Sequence, residues 1–330
     1  MNRLNKLKGL GFALVCLLLL AVAVYSGFQF LEATVFFEDE KGESGEYVSK
    51  TIERNGVKYF PKQDIETFLI IGVDEDGPME QREVYEGGGM ADALMVAVFD
   101  KSQEKVNVIS LNRDTMAKIP VRGLDGRPAG SIEGQLALAY AYGDGMQLSC
   151  ENTVNAVSNL LYGIDIDHYV SMNMDAIKIL NDAVGGVSVQ VSDDFSAVDP
   201  SITMGEMTLK GDQALTYIRA RKDVGTQLNI SRMERQSEYM KGFFTALRAA
   251  IANDDSGEFS VNTFNALAEY MVTDCSATVL SSTLDRYGEY ELTEIQSPAG
   301  ENVKGEEYME FYLDESAFDA LVLDTFFAAK

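Results

Sequence analysis

The sequence predicts an α/β fold, an α/β/α sandwich with a mixed central sheet, preceded by one N-terminal transmembrane helix. Three observations carry this. Short continuous apolar runs, of which Thr67–Val73 (T-F-L-I-I-G-V) is the clearest, have the pattern of strands buried on both faces. Segments of helical character alternate with these runs, as they do when helices cover both sides of a sheet. Finally, Arg3, Lys6 and Lys8 precede an uncharged stretch from Gly9 to Phe28, and about twenty apolar residues span a bilayer.

The elements follow in chain order. Basic residues before the span, and Glu32, Glu38, Asp39 and Glu40 after it, place residues 1–8 in the cytoplasm and the body outside the cell membrane. A cleaved signal peptide is the competing reading, on the small-residue site Ala21-Val22-Ala23. The apolar run continues past that site through Val24, Phe28 and Phe30, which favours an uncleaved single-pass anchor at 9–28. Residues 29–63 are polar and read as a juxtamembrane linker, with a short hairpin at Asn55-Gly56. An extracytoplasmic body follows over 64–330.

In the body, strand Thr67–Val73 leads into a loop with Gly87-Gly88-Gly89. Ala93–Phe99 and Lys105–Leu111 are the next strands, joined by a tight hairpin at Asp100–Glu104. A loop runs from Asn112 to Ser131. Gln135–Tyr142 and Cys150–Leu161 read as helices, the second with Val154, Val157, Leu160 and Leu161 on one face. His168–Met172 is a strand, Met174–Val184 a helix stopped by Gly185-Gly186, and Val187–Val191 a strand. Gly211–Ile218 is helical, as is Ser231–Asn253, which opens on a capping box of Ser231 and Glu234. Ser260–Met271 and Ala277–Tyr287 are helices, Tyr290–Ser297 is a strand, and Glu315–Phe327 is a closing helix.

The formal net charge of −25 and pI near 4.3 exclude a nucleic-acid partner, which needs a broad basic surface. Against this acidity, Arg219, Arg221, Lys222, Arg232 and Arg235 cluster. Arginines so dense either grip a phosphorylated ligand through their fork of donors or form a solvated, salt-bridged surface. Polar residues also mark the ends of apolar strands: Asp74, Asp92 and Arg113-Asp114-Thr115. Ligand sites in open α/β sheets gather there, and converging carboxylates beside arginines make an oxygen site for Mg²⁺ bridging phosphates. Each Asp taken alone is equally a turn or cap residue. The one histidine, His168, stands at a strand start and reads as structural. Any general base is then a carboxylate, and charge stabilisation falls to Arg and metal, which suits phosphoryl chemistry. Cys16 lies in the span. Cys150 and Cys275 lie in the extracytoplasmic body, where they form either a disulfide or two buried free thiols. No C-x-x-C spacing or His-rich tract points to zinc.

Seven segments in order, F-L-I-I-G-V-D, M-A-D-A-L-M, I-S-L-N-R-D-T, A-Y-A-Y-G, N-D-A-V-G-G-V, L-K-G-D-Q-A-L-T-Y-I-R-A-R-K and S-R-M-E-R-Q, resemble the LytR–CpsA–Psr family of Gram-positive cell-envelope proteins, over about residues 65–250. The resemblance implies a phosphotransferase. It would attach a glycopolymer, such as wall teichoic acid or capsule, from a polyprenyl-pyrophosphate carrier to peptidoglycan, with Mg²⁺ as cofactor and lipid pyrophosphatase as a side activity. It implies Asp74 and Asp92 as metal ligands and, with Arg113, as catalytic groups. It also implies Arg113, Arg219, Arg221, Arg232, Arg235 and Gln236 as the pyrophosphate-binding set. An apolar tunnel for the polyprenyl tail follows from the same resemblance, with Val154, Val157, Leu161, Ile177, Leu180, Phe243, Phe244 and Leu247 as candidate lining. Three positions depart from the family pattern. Met90 stands where the family has Arg, Asn112 where it has Pro, and Asn229 where it has Asp. The departures keep a second reading open, a non-catalytic polyprenyl-pyrophosphate-binding regulator or scaffold of envelope assembly.

Overall fold

The structure, a computed structural model, describes residues 51–82, 89–123, 126–220, 224, 229–254, 258–287, 290–293, 295–305 and 308–329, with part of the side chains between 229 and 292. The expected anchor at 9–28 and most of the linker lie outside the described residues. Among the described residues, no helix is long and apolar enough to cross a membrane.

Strands β1 (Ile52–Arg54) and β2 (Val57–Pro61) open the described chain. Between them Asn55 has φ 53° and Gly56 φ 77°. Positive φ at both central positions is the type I′ turn, which Asn-Gly supplies at least steric cost, so the expected hairpin forms. β2 also pairs with the final strand, Phe327–Ala329, with Tyr59 opposite Ala329. Residues 52–61, expected within the linker 29–63, are therefore part of the folded body.

The chain continues through β3 (Ile65–Val73), β4 (Ala91–Asp100), β5 (Lys105–Leu111), β6 (Met116–Arg122), β7 (Pro128–Gln135), α1 (Leu138–Ala141), α2 (Gln147–Leu160), β8 (His168–Asn173), α3 (Asp175–Ala183), β9 (Val187–Val191) and β10 (Gly205–Leu209). After these come α4 (Asp212–Arg219), α5 (Asn229–Ala252), α6 (Phe259–Leu267), β11 (Met271–Thr273), α7 (Ala277–Tyr287), β12 (Glu291–Leu292), β13 (Gly300–Lys304), β14 (Met309–Leu313), α8 (Glu315–Phe326) and β15 (Phe327–Ala329).

The main sheet is mixed, in the order β11-β8-β3-β4-β5-β12. β3 runs parallel to β8 and β5 to β12, and the other neighbours are antiparallel. Every residue of β4 is buried, as a strand at the centre of a two-sided sandwich requires. Successive side chains of the sheet feed two cores. Phe68, Ile70, Met95, Ala97 and Phe99 meet Ile177, Leu180, Tyr217, Tyr239 and Phe243 from α3, α4 and α5 on one face. Leu69, Ile71, Val96 and Val98 meet Tyr140, Val157, Phe318 and Val322 from α1, α2 and α8 on the other. Each such side chain, fully buried, contributes about 1.5–3 kcal/mol.

Several expectations are corrected. The loop 112–131 is mostly the β6–β7 hairpin, with Ile119 opposite Ile132. Ala117 and Ile119 turn inward while Lys118 stays exposed, a strand alternation hidden in the sequence by Pro and Gly. The helix expected at 135–142 shrinks to Leu138–Ala141, because Gln135 completes β7. The helix expected at 260–271 ends at Leu267, and Met271–Thr273 instead becomes the edge strand beside β8. The strand expected at 290–297 reduces to Glu291–Leu292 and a single bridge of Gln296 to Ile109.

The two cores also divide the residues proposed to line a tunnel. Val154, Val157 and Leu161 belong to the α2 side, whereas Ile177, Leu180, Phe243 and Leu247 belong to the α3–α5 side. The sheet lies between the two groups, so they cannot line one channel. The Phe244 side chain lies outside the described residues. The same division separates the cysteines. Cys150 is buried in the α2-side core and Cys275 in the other, and both are free thiols. The candidate disulfide Cys150–Cys275 is not formed: the two thiols sit in cores on opposite faces of the sheet. Alkylation of the unfolded chain without reductant is expected to label Cys150 and Cys275 as well as Cys16, three labels by intact mass; a chain carrying a label on Cys16 alone would contradict this arrangement.

Candidate active site

Adjacent strands β3, β4 and β5 end at the same edge of the sheet and bring Asp74, Asp92 and Arg113 together. Asp74 directly follows β3. Asp92 sits at a bulge in β4. Gly72 pairs with Ala93, but Val73 pairs with Ala91, so Asp92 is the extra residue. The bulge shows in the packing as well. Ala91 and Leu94, three apart, lie in the same core, which strict alternation forbids. A bulge of this kind bends the strand and re-aims a side chain.

Arg113 projects from a turn just beyond β5. The Asn112 carboxamide oxygen accepts from the Asp114 amide at 3.0 Å, and the Asn112 carbonyl accepts from Thr115 Oγ1 at 2.7 Å. Asn112, where a proline was expected from the resemblance, thus closes the turn with its own side chain. Arg113 Nη1 donates to Asp92, and its Nε lies 3.5 Å from Asp114 Oδ1. Asp114 is held from the other side by Gln135 Nε2 at 2.9 Å. Met90, where an arginine was expected, packs partly buried against the α2-side core and brings no charge to the site.

Arg219, the last residue of α4, reaches the same edge. Its Nη2 donates to Asp74 at 3.0 Å and its Nη1 to Asp76 at 3.3 Å. The loop carrying Asp74 is pinned to the start of α3: Asp175 accepts from the Gly77 amide at 2.5 Å, and Asn173 donates to the Gly77 carbonyl. Glu75 pairs with Arg82. Gly89 has φ +36°, and a Cβ there would lie 2.9 Å from Val73 Cγ1 as well as against Glu75, so glycine eases the close approach of these two segments.

Burial raises the Asp92 carboxyl to about 6; Arg113 opposes the shift and the nearby charge of Asp74 adds to it. Burial raises Asp114 as well, again opposed by Arg113. Among the described residues, Asp74, Asp76, Asp92 and Asp114 outnumber Arg113 and Arg219. Asp74 and Asp92 are hard oxygen donors with uncompensated charge around them, a set able to hold a divalent cation. The two guanidiniums present donors that match phosphate oxygens.

Arg235, expected to grip pyrophosphate, has a different setting. Its side chain is 4% exposed, against 39% for Arg219. Nε donates to the Tyr217 carbonyl at 3.1 Å, Nη1 to Asp193 and Nη2 to the Ala220 carbonyl, while Phe195 lies 5.4 Å beneath the guanidinium. Arg235 therefore caps the end of α4 that carries Arg219, and all three nitrogens are engaged by the protein. Arg221 and the side chains of Arg232 and Gln236 lie outside the described residues. Sequence reasoning missed Asp76 and Asp193 as partners of these arginines. Both follow apolar strands, the signal that pointed to Asp74.

A sequence model of the LytR_cpsA_psr family matches residues 32–321. The chain is similar to the polyisoprenyl-teichoic acid–peptidoglycan teichoic acid transferase TagU of Enterococcus faecalis, with 30% identity over 246 residues, 73% of this chain and 71% of that protein. To the TagU of Halalkalibacterium halodurans it is 36% identical over 180 residues, 54% of this chain and about half, 52%, of the relative. Its fold is that of TagT bound to LI-WTA, with TM-score 0.54 at 19% identity over 87% of this chain and 98% of that chain.

Two outcomes follow from the geometry. Between an ordinary carboxyl pKa near 3.9 and about 6, folded Asp92 keeps a proton that the unfolded chain has lost, so its contribution to stability falls as pH rises through that window. Urea unfolding of Asp92→Asn and parent should show the difference moving in the variant's favour by about 1–3 kcal/mol from pH 4 to pH 7; an unchanged difference would remove the buried-carboxylate assignment. Arg235→Ala leaves Asp193 and two carbonyls without their donor and is expected to destabilise the fold by about 3 kcal/mol or more. A melting curve matching the parent would show that Arg235 is free for ligand.

Proposed function

The chain belongs to the LytR_cpsA_psr family, and from this premise we propose that it is a transferase moving a glycopolymer from a polyprenyl-pyrophosphate carrier to peptidoglycan. Teichoic acid is the cargo named for its relatives. We also propose that residues 9–28 anchor it in the cell membrane with the body outside, so that the lipid carrier and the wall are both within reach. One observation carries the reading: two carboxylates and two guanidiniums from four separate segments meet at one edge of the sheet, each acid paired with an arginine.

The pairing suits a ligand that carries both charges. A pyrophosphate offers Arg113 and Arg219 better acceptors than single carboxylates do, since arginine and phosphate pair two donors to two oxygens. As Arg219 turns to phosphate, the Asp74 carboxylate is released from its ion pair and can accept a proton. Asp74 then takes the proton of a sugar hydroxyl on peptidoglycan while that oxygen attacks the glycosyl-linked phosphorus. The bond from this phosphorus to the bridging oxygen breaks, and the lipid monophosphate leaves with that oxygen and the electron pair. Asp92 would be the principal ligand of Mg²⁺, with Asp74 on its other side able to share it before the proton is taken, and the ion would supply charge neutralisation at the phosphates. Asp92 must be ionised for this role.

The second reading, a non-catalytic binder of polyprenyl pyrophosphate, is favoured by Met90, which brings an apolar side chain where charge was expected. Release of lipid monophosphate from a lipid-pyrophosphate-linked polymer separates the two. The full chain in detergent should turn over with Mg²⁺ and stop in EDTA. Arg219→Ala should lower kcat by about 10²–10³, the usual cost of removing one donor aimed at developing charge. Binding without release, with or without Mg²⁺, establishes the binder instead. An Arg219→Ala variant as active as the parent removes Arg219 from the reaction.

A further inference from the structure

We propose that His168, Asp274 and Cys275 form a second metal site, of a kind that takes Zn²⁺, at the end of the sheet opposite the carboxylate–arginine site. Their ligand atoms all lie within 4.8 Å of one another. His168 Nδ1 is 3.5 Å from Asp274 Oδ2, and Cys275 Sγ is 3.5 Å from Asp274 Oδ1. Tetrahedral zinc with nitrogen, oxygen and sulfur ligands at about 2.0–2.3 Å sets its donors about 3.3–3.7 Å apart. Each carboxylate oxygen of Asp274 is at that spacing from one partner, Oδ2 from His168 and Oδ1 from Cys275, so a small rotation of the carboxylate and closure of the set from 4.8 Å would complete the triangle.

The register of the edge strands explains the meeting. β11 runs antiparallel to β8, with Met271 opposite Met172 and Thr273 opposite Val170. Continuing that register brings Asp274 to Tyr169 and Cys275 to His168. The contact is made, because the Tyr169 amide donates to Asp274 Oδ1 at 3.0 Å. Thr273 Oγ1 donates to the Tyr169 carbonyl at 2.6 Å and accepts from the Cys275 amide at 3.0 Å, which fixes the turn carrying the two ligands. Phe68, its ring 4.8 Å from that of His168, sets the imidazole plane. Such outer contacts orient metal ligands.

A second observation points to a ligand. His168 Nδ1 is buried and makes no hydrogen bond, and buried ring nitrogens are nearly always satisfied. The chemistry of the set selects the metal. Imidazole, carboxylate and thiol together suit zinc and its neighbours, whereas Mg²⁺ and Ca²⁺ take oxygen alone. Three protein ligands leave a fourth position for water, and the partial exposure of His168 and Asp274 gives an entry path.

The site is distinct from the one at Asp74 and Asp92. His168 pairs with Phe68 and Asn173 with Val73, so the two sites are separated by five residues of strand, roughly 17 Å. A metal here would clamp the edge strand β11 and the entry to α7 onto β8. It owes nothing to the proposed transferase chemistry.

The test uses the full chain in detergent, stripped with EDTA and titrated with Zn²⁺ in excess Mg²⁺, which occupies oxygen-only sites. One Zn²⁺ per chain is expected by native mass spectrometry. Cys275→Ser and His168→Gln should each weaken binding by about tenfold or more, and Cys150→Ser should leave it unchanged. Co²⁺ in place of zinc should give a thiolate-to-metal absorption that Cys275→Ser removes. Melting in EDTA reports whether each variant folds, and the half-exposed His168→Gln decides the matter if Cys275→Ser does not. No stoichiometric Zn²⁺, binding that survives both substitutions, or a cobalt spectrum without the thiolate band would each overturn the proposal.

Discussion

Burying a carboxylate in the middle strand of a two-sided sandwich is costly unless a cation meets it, and much of this structure is arranged around that requirement at Asp92. Arg113 supplies the cation, and it can do so only from the turn that Asn112 and Thr115 close. That turn in turn needs Asp114, which Gln135 holds from β7. Gln135 also donates to the Met309 carbonyl at 2.7 Å, and the Phe311 amide donates to the Asp114 carbonyl at 2.8 Å. One buried charge thus ties the central sheet to the β6–β7 hairpin and to the β13–β14 hairpin near the C-terminus. Held from three segments in this way, the charged groups at the sheet edge keep their positions before any ligand arrives.

Two arginines of one cluster are put to different uses by burial alone. Arg219 is solvent-accessible and paired with carboxylates that a charged ligand can replace. Arg235 is enclosed, stacked on Phe195, and bound to two carbonyls at the end of α4. Placing a cation at the C-terminal end of a helix is favourable in itself. Here it also orients the helix terminus from which Arg219 extends, so Arg235 acts on the site through position.

The carboxylate–arginine edge and the His168–Asp274–Cys275 cluster occupy opposite ends of the same two strands. β3 and β8 are parallel, so their starts and ends gather at separate edges. The donor types differ accordingly. Oxygen ligands with arginines suit phosphate and a hard cation, whereas nitrogen, oxygen and sulfur suit a softer one. The cysteine that sequence reasoning paired with Cys150 lies instead with a histidine on its own side of the sheet.

By itself, the sequence determined the sandwich, its central strands, the Asn55-Gly56 turn and the strand-end positions of Asp74, Asp92 and Arg113. These rest on local pattern: apolar runs, periodicity, and residues suited to positive φ. It left β6, β7, β10, β11, β13, β14 and β15 unseen: Pro and Gly masked the β6–β7 alternation, and the others are short strands whose few residues carry too little pattern. Tertiary structure alone decided which residues share a face, and hence that the supposed tunnel residues fall into two cores. It alone separated Arg235 from Arg219, bulged Asp92 out of register, kept the thiols apart and brought Cys275 to His168. The reason is physical. Local propensity is encoded by neighbours in the chain, whereas burial, charge pairing and ligand spacing arise between segments distant in sequence, through a register that only the packed sheet sets.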